Sequence, residues 1–215
     1  MSRSRSALWL RWVGAFTLGE VLGFGGLPAA LGLGVMTLTK ELPTTPRALL
    51  LYAVAIVGGL GEGAVVGAFQ RRVLREVLPS LDGRAWVRHT AFAAAGAWAA
   101  GMCAPTLDDL FTLPPAVMVA LWVPAAVLIL LSIGGVQARL LRGVVARPVR
   151  WLWINVAGWL AGLPWTFIAP AVIPDDSPAW KFGVAFLLGG TLMGATTGAL
   201  TGALVLRFAR ERQGA

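Results

Sequence analysis

Six stretches of about 20 apolar residues, nearly free of charge and separated by short polar joints, run almost the whole length of this chain. Each is as long as a helix must be to cross the hydrocarbon core of a bilayer, where every backbone polar group has to be paired within the segment. They fall at roughly 12–36, 49–70, 86–105, 115–137, 151–172 and 182–206. The expected fold is therefore all-α: one polytopic membrane domain over residues 1–215, arranged as an integral six-helix bundle. A charged fraction of 13% and a mean hydropathy of +0.75 agree with this, since soluble domains carry about 25% charged residues.

The charges give the orientation, because cytoplasmic loops retain Lys and Arg. One set of joints holds Arg3, Arg5 and Arg11, then Arg71, Arg72, Arg75, Arg84 and Arg88, then Arg139, Arg142, Arg147 and Arg150, and finally Arg207, Arg210 and Arg212. The opposite joints hold only Lys40, Arg47 and Lys181 against Glu41, Asp108, Asp109, Asp175 and Asp176, and are net negative. Both termini are thus expected on the cytoplasmic side of a bacterial inner membrane. A pI of about 11.4 is high enough for a nucleic-acid binder. Here, though, the arginines recur at helix ends, where topology and anionic lipid account for them, so nucleic acid is not among the expected partners. The leading MSRSRS and apolar run have the outline of a secretory signal. The run continues past Val35 and carries Glu20 inside it, which favours a first membrane helix.

Gly58–Arg75 reads GGLGEGAVVGAFQRRVLR. Gln70, Leu74 and Arg75 recur as Gln137, Leu141 and Arg142, and the last segment keeps Leu206 and Arg207 with glycine or threonine in place of the glutamine. Setting Gly19-Glu20-x-x-Gly23 over Ala97-Trp98-x-x-Gly101 and Gly158-Trp159-x-x-Gly162 aligns the other three segments. The chain therefore reads as three tandem two-helix repeats in one orientation, closing with approximate three-fold pseudosymmetry. This alternation resembles a group of small bacterial multi-pass membrane proteins, mostly uncharacterised, whose units end in Q-x-x-x-L-R and continue into a Trp-Gly helix. The resemblance covers Gly58–Gly101 and Gly134–Gly162 and implies a membrane fold without assigning an activity. Two positions depart from the pattern: Glu20 stands in a tryptophan slot, and Glu62 aligns with Ile129.

Gly59, Gly63 and Gly67, like Gly190, Gly194, Gly198 and Gly202, repeat every fourth residue and form flat stripes against which another helix backbone can pack closely. The occupant is either a neighbouring helix of the same chain or a second copy or larger membrane complex. Among the tryptophans, Trp9, Trp12, Trp86, Trp151 and Trp153 are expected as cytoplasmic interface anchors and Trp180 as an outer one, while Trp98 and Trp159 are expected inside the bundle.

Chemistry concentrates on two carboxylates. Glu20 and Glu62 each lie about eight residues, or about 12 Å, into their helices from the cytoplasmic ends, so they share one level. Ionisable groups inside membrane spans face the protein interior and mark ion or proton pathways. Gln70, Gln137, Asn155 and His89 are the polar side chains expected to join them in a network. The competing expectation is a structural network in which one glutamate pairs with Arg11, Arg88 or a backbone group of another helix.

Other chemistry is poorly supported. One cysteine, Cys103, and one histidine, His89, do not build a disulfide framework or a multi-thiolate or histidine-rich metal site. The acidic pairs Asp108-Asp109 and Asp175-Asp176 offer fewer oxygens than calcium requires. No G-x-S-x-G, H-E-x-x-H or phosphate loop is present. The sequence thus predicts no catalytic residues, metal or cofactor, and a partner in the lipid bilayer itself. Its leading functional expectation is a non-enzymatic scaffold or accessory subunit packing through its glycine stripes. The alternative is a small-solute or ion transporter using Glu20 and Glu62.

Overall fold

The computed structural model describes residues 3–174 and 176–213, and among these every regular element is helical. The helices are α1 (Arg3–Gly23), α2 (Leu27–Leu38), α3 (Thr44–Val77), α4 (Gly83–Phe111), α5 (Pro115–Leu140), α6 (Val149–Gly162), α7 (Pro164–Ala171) and α8 (Ala179–Gln213). Of these, α3, α5 and α8 are long and apolar enough to cross a membrane. The segments expected over 49–70, 86–105, 115–137 and 182–206 lie within α3, α4, α5 and α8.

Two expected helices are broken. The first stops at Gly23, where the Glu20 carbonyl accepts from both Phe24 N (2.8 Å) and Gly25 N (3.0 Å), and resumes as α2 with Pro28 in its opening turn. A proline there gives up only an N–H that has no intrahelical partner, whereas in mid-helix it would remove a backbone bond. The fifth breaks at Leu163, immediately before Pro164, with Thr166 N and Oγ1 both bonding the Leu163 carbonyl. These breaks fall four residues after Glu20 and after Trp159, at matching places in the repeat register.

The outer connection expected to begin at Pro105 does not begin there. Helix α4 runs through Pro105 to Phe111 and turns only at Thr112, which has a left-handed φ of 51°. Asp108 ends the helix: its carbonyl accepts from Thr112 N, and its side chain accepts from Leu113 N at 2.8 Å, so it is a cap where a loop charge was expected. Asp175, part of the second acidic pair, lies outside the described residues.

At the other end of α4, Asp82 is an N-cap, accepting from Arg84 N at 2.9 Å and Ala85 N at 3.0 Å. These backbone bonds, Ala85 first and then Arg84, favour the ionised carboxylate and hold its pKa below the ordinary value. The capping contribution is therefore complete above the usual carboxylate range and is lost as pH falls through the lowered pKa. Asp82→Ala should lower the thermal midpoint at neutral pH, and the gap from the parent should close in acid; melting curves at several pH values check this.

Helix contacts follow the ring α1, α3, α4, α5, α6, α8 and back to α1, with α2 on α3 and α8, and α7 on α8. The glycine stripes lie at close contacts of this ring. A Cβ added at Gly63 would lie 2.6 Å from the Thr90 carbonyl oxygen and 2.7 Å from Ala91 Cα, and one at Gly59 would strike Trp98. On α8, the positions at Gly190, Gly194, Gly198 and Gly202 face Glu20 and Phe24, Thr17 and Glu20, Phe16 and Val13, and Trp9 and Trp12, respectively. Both stripes are therefore filled from within the chain, by α4 and by α1.

Candidate functional site

Two polar layers cross the interior, and the first is built on tryptophan. Trp12 of α1, Trp86 of α4 and Trp151 of α6 are each 0% exposed, which corrects the expectation that they are interface anchors. Trp151 meets Trp12 and Trp86 edge to face, with ring centroids 5.8 and 5.7 Å apart, and stacks on Phe208 at 6.0 Å. A buried indole N–H needs an acceptor. Each finds one on the helix preceding its own in the ring: Trp86 donates to Gln70 Oε1 (3.0 Å), Trp151 to Gln137 Oε1 (2.9 Å) and Trp12 to Thr201 Oγ1 (2.9 Å). The recurring glutamine is thus the acceptor for a tryptophan of the next helix, and Thr201 replaces it in the copy that lacks it. Gln137 Nε2 ties the layer together by donating to Gln70 Oε1 and Thr90 Oγ1, both at 3.0 Å. Trp153 and Trp180, at 61% and 65% exposed, do face outward as interface residues should.

The second layer lies eight residues further along α3, or about 12 Å. At the positions aligned on Arg75, Arg142 and Arg207 stand Glu62, Ile129 and Gly194; at the mutually aligned positions of α4, α6 and α1 stand Trp98, Trp159 and Glu20. Only one of these pairs is satisfied, with the Trp98 indole donating to Glu62 Oε2. Trp159 is buried and its Nε1 has no acceptor; the residue aligned with Glu62 in its repeat is Ile129. Glu20 occupies the space left by Gly194, whose added Cβ would lie 3.0 Å from both Cβ and Cγ of Glu20. Glu20 is 0% exposed and Glu62 6% exposed. Neither oxygen of Glu20 meets a hydrogen-bond partner, and Glu62 packs against the same turn of α1, where a Cβ at Gly23 would lie 3.2 Å from Glu62 Cγ. Phe24 roofs the pair, stacking on Trp98 with centroids 6.1 Å apart and touching Phe186 edge-on at 5.9 Å. Gly23 lets α1 approach, since a Cβ there would lie 3.1 Å from the Glu62 carbonyl oxygen.

The six expected network residues therefore separate. Glu20 and Glu62 come together, as their equal depth predicts. Gln70 and Gln137 come together too, but in the tryptophan layer. Asn155 sits on α6 between Trp151 and Trp159; its Nδ2 donates to the Trp151 carbonyl at 2.8 Å while its buried Oδ1 has no donor. His89 joins neither layer and bonds the Ala85 carbonyl of its own helix through Nδ1, at 2.8 Å. The arginines expected to neutralise a glutamate do not, as Arg11 pairs with Glu76 at the cytoplasmic end of α3.

No family model, curated protein or solved structure matches this chain. Two carboxyls in a buried interior repel when both are ionised, and with no arginine on them the pair reaches neutrality only by taking up two positive charges, as protons or cations. Among the described residues no third carboxylate, histidine or cysteine joins them to form a metal-binding group.

Proposed function

We propose that this chain is a multi-pass protein of the bacterial inner membrane, with six spans, three tandem repeats and both termini cytoplasmic. Its function is to bind and pass a small cation or proton at Glu20 and Glu62. The observation that carries this reading is Glu20: two carboxyl oxygens fully buried and without a donor, on the turn of α1 that packs against Glu62. A purely structural glutamate would be satisfied by a fixed donor, as Glu62 partly is by Trp98. The break after Glu20 also supports it. Non-helical backbone at membrane depth is tolerated where it is enclosed by protein or lines a cavity, and broken helices carry ion sites in transporters. Two carboxylates suit a proton or a monovalent cation better than calcium, which takes six to eight oxygens. The scaffold reading has less support, because the glycine stripes it depends on are occupied by α1 and α4.

Purified protein in sealed vesicles should dissipate an imposed proton or monovalent-cation gradient. Glu20→Gln with Glu62→Gln should reduce that flux to the level of empty vesicles while leaving the fold intact. Flux that persists in the double variant would rule the proposal out.

A further inference from the structure

Between α6 and α8, on the side of the molecule that carries the arginines, lies an open groove of about 430 Å³ lined by Arg150, Trp153, Ile154, Ala203 and Leu204. It is separate from both interior layers. Its lining is apolar except for Arg150, with Arg147 three residues before it in the chain and Arg207 one helical turn beyond Leu204 on α8. Arg207 is held by Glu211 at 2.8 Å, but Arg150 Nη1 is shielded from solvent and meets no acceptor. Three guanidinium groups with one carboxylate among them leave an excess of positive charge and an unanswered donor at the mouth of an apolar channel. Trp153, exposed on the rim, is a residue type that settles at the level of lipid headgroups.

A soluble anion would answer the arginines but leave the groove empty, and a neutral apolar molecule would do the reverse. An amphiphile with an anionic head and a hydrocarbon tail does both, and basic pockets between membrane helices on the cytoplasmic side are suited to such headgroups. We infer that the α6/α8 groove binds one anionic phospholipid, its phosphate on Arg150 and Arg207 and an acyl chain along Ile154, Ala203 and Leu204. The planar guanidinium of Arg150 gives a phosphate two parallel donors, which a zwitterionic lipid shares with its own ammonium.

The test is native mass spectrometry of the full chain released from detergent micelles supplied with phosphatidylglycerol or phosphatidylcholine. A single phosphatidylglycerol should stay bound, and phosphatidylcholine should not. Arg150→Gln with Arg207→Gln should weaken retention about tenfold or more, the effect of losing charge-assisted contacts. Arg150→Lys should keep part of it. Ala203→Trp, which fills the exposed groove without touching the arginines, should also weaken it, and melting temperatures near the parent's establish that these variants fold. Equal retention of the two lipids, or phosphatidylglycerol retained by the double arginine variant, would overturn the inference. So would inorganic phosphate binding at the arginines as tightly as the lipid, since the apolar groove would then contribute nothing.

Discussion

Trp151→Ala should destabilise the protein by about 3 kcal/mol, the low end of the range for removing a buried large aromatic side chain. The low end applies because in a bilayer a separated helix keeps its tryptophan in lipid, so the loss is of packing and not of transfer from water. Trp151 is 0% exposed and touches Trp12, Trp86 and Phe208, so its removal leaves a void where α1, α4, α6 and α8 meet. It also strips Gln137 Oε1 of its donor. Trp151→Phe keeps most of the ring volume but loses the N–H, and should cost about 1 kcal/mol. Unfolding midpoints in micelles separate the two terms. A Trp151→Ala protein that unfolds at the parent midpoint would show that the tryptophan layer is not the core of the fold.

Gly63 and Gly96 should respond in opposite directions to the same change. The position at Gly63 is closed by α4 backbone, at 2.6 Å from the Thr90 oxygen and 2.7 Å from Ala91 Cα, and backbone cannot swing aside as a flexible side chain can. Gly63→Ala must therefore push α3 and α4 apart, at about 1–3 kcal/mol, and Gly63→Leu should prevent folding. At Gly96, in the middle of α4, a Cβ meets nothing within 4 Å. Gly96→Ala removes the entropy penalty of a helical glycine and should gain about 0.5–1 kcal/mol. Both single alanine variants can be measured in the same unfolding assay. Equal and small effects would mean that the close α3/α4 approach does not exist.

Much of this was legible in the chain because membrane helices announce themselves by length and polarity. The bounds of α3, α4, α5 and α8 contain the apolar runs and extend beyond them into polar turns such as Arg71–Glu76. The equal depth of Glu20 and Glu62 followed from simple counting along two helices. The breaks after Gly23 and at Leu163 were harder to read, because Pro28 and Pro164 lie inside apolar runs with no polar residue to mark a joint. Trp12, Trp86 and Trp151 were misplaced for a different reason. A tryptophan near a row of arginines looks like an interface anchor, and only its partner tells otherwise. The signal was present in the recurring glutamines, since a buried amide at a fixed repeat position requires a polar partner from the next helix. Trp86 comes one helical turn earlier than the register of Trp12 and Trp151, with Thr90 in the aligned place, so the repeat alignment alone does not bring the three rings together. The glycine stripes were readable as contacts but not as contacts with a particular helix, because a small residue leaves a space and does not specify what fills it.

The tryptophan layer gives the recurring glutamines Gln70 and Gln137 their role as indole acceptors, and the second layer is where the aligned positions differ. Glu62, Ile129 and Gly194 stand at one set of aligned positions and Trp98, Trp159 and Glu20 at the other, and that asymmetry places two carboxyls together with too few donors. The central claim is that this pair carries an exchangeable proton or cation. Infrared difference spectra of the reconstituted protein, recorded on exchange between acidic medium and medium rich in a monovalent cation, test it most directly. A carboxyl band that shifts in the parent and is lost in both Glu20→Gln and Glu62→Gln, since each needs the other, is the predicted result. A carboxyl region that does not respond to exchange, or a response that survives both substitutions, would contradict the account.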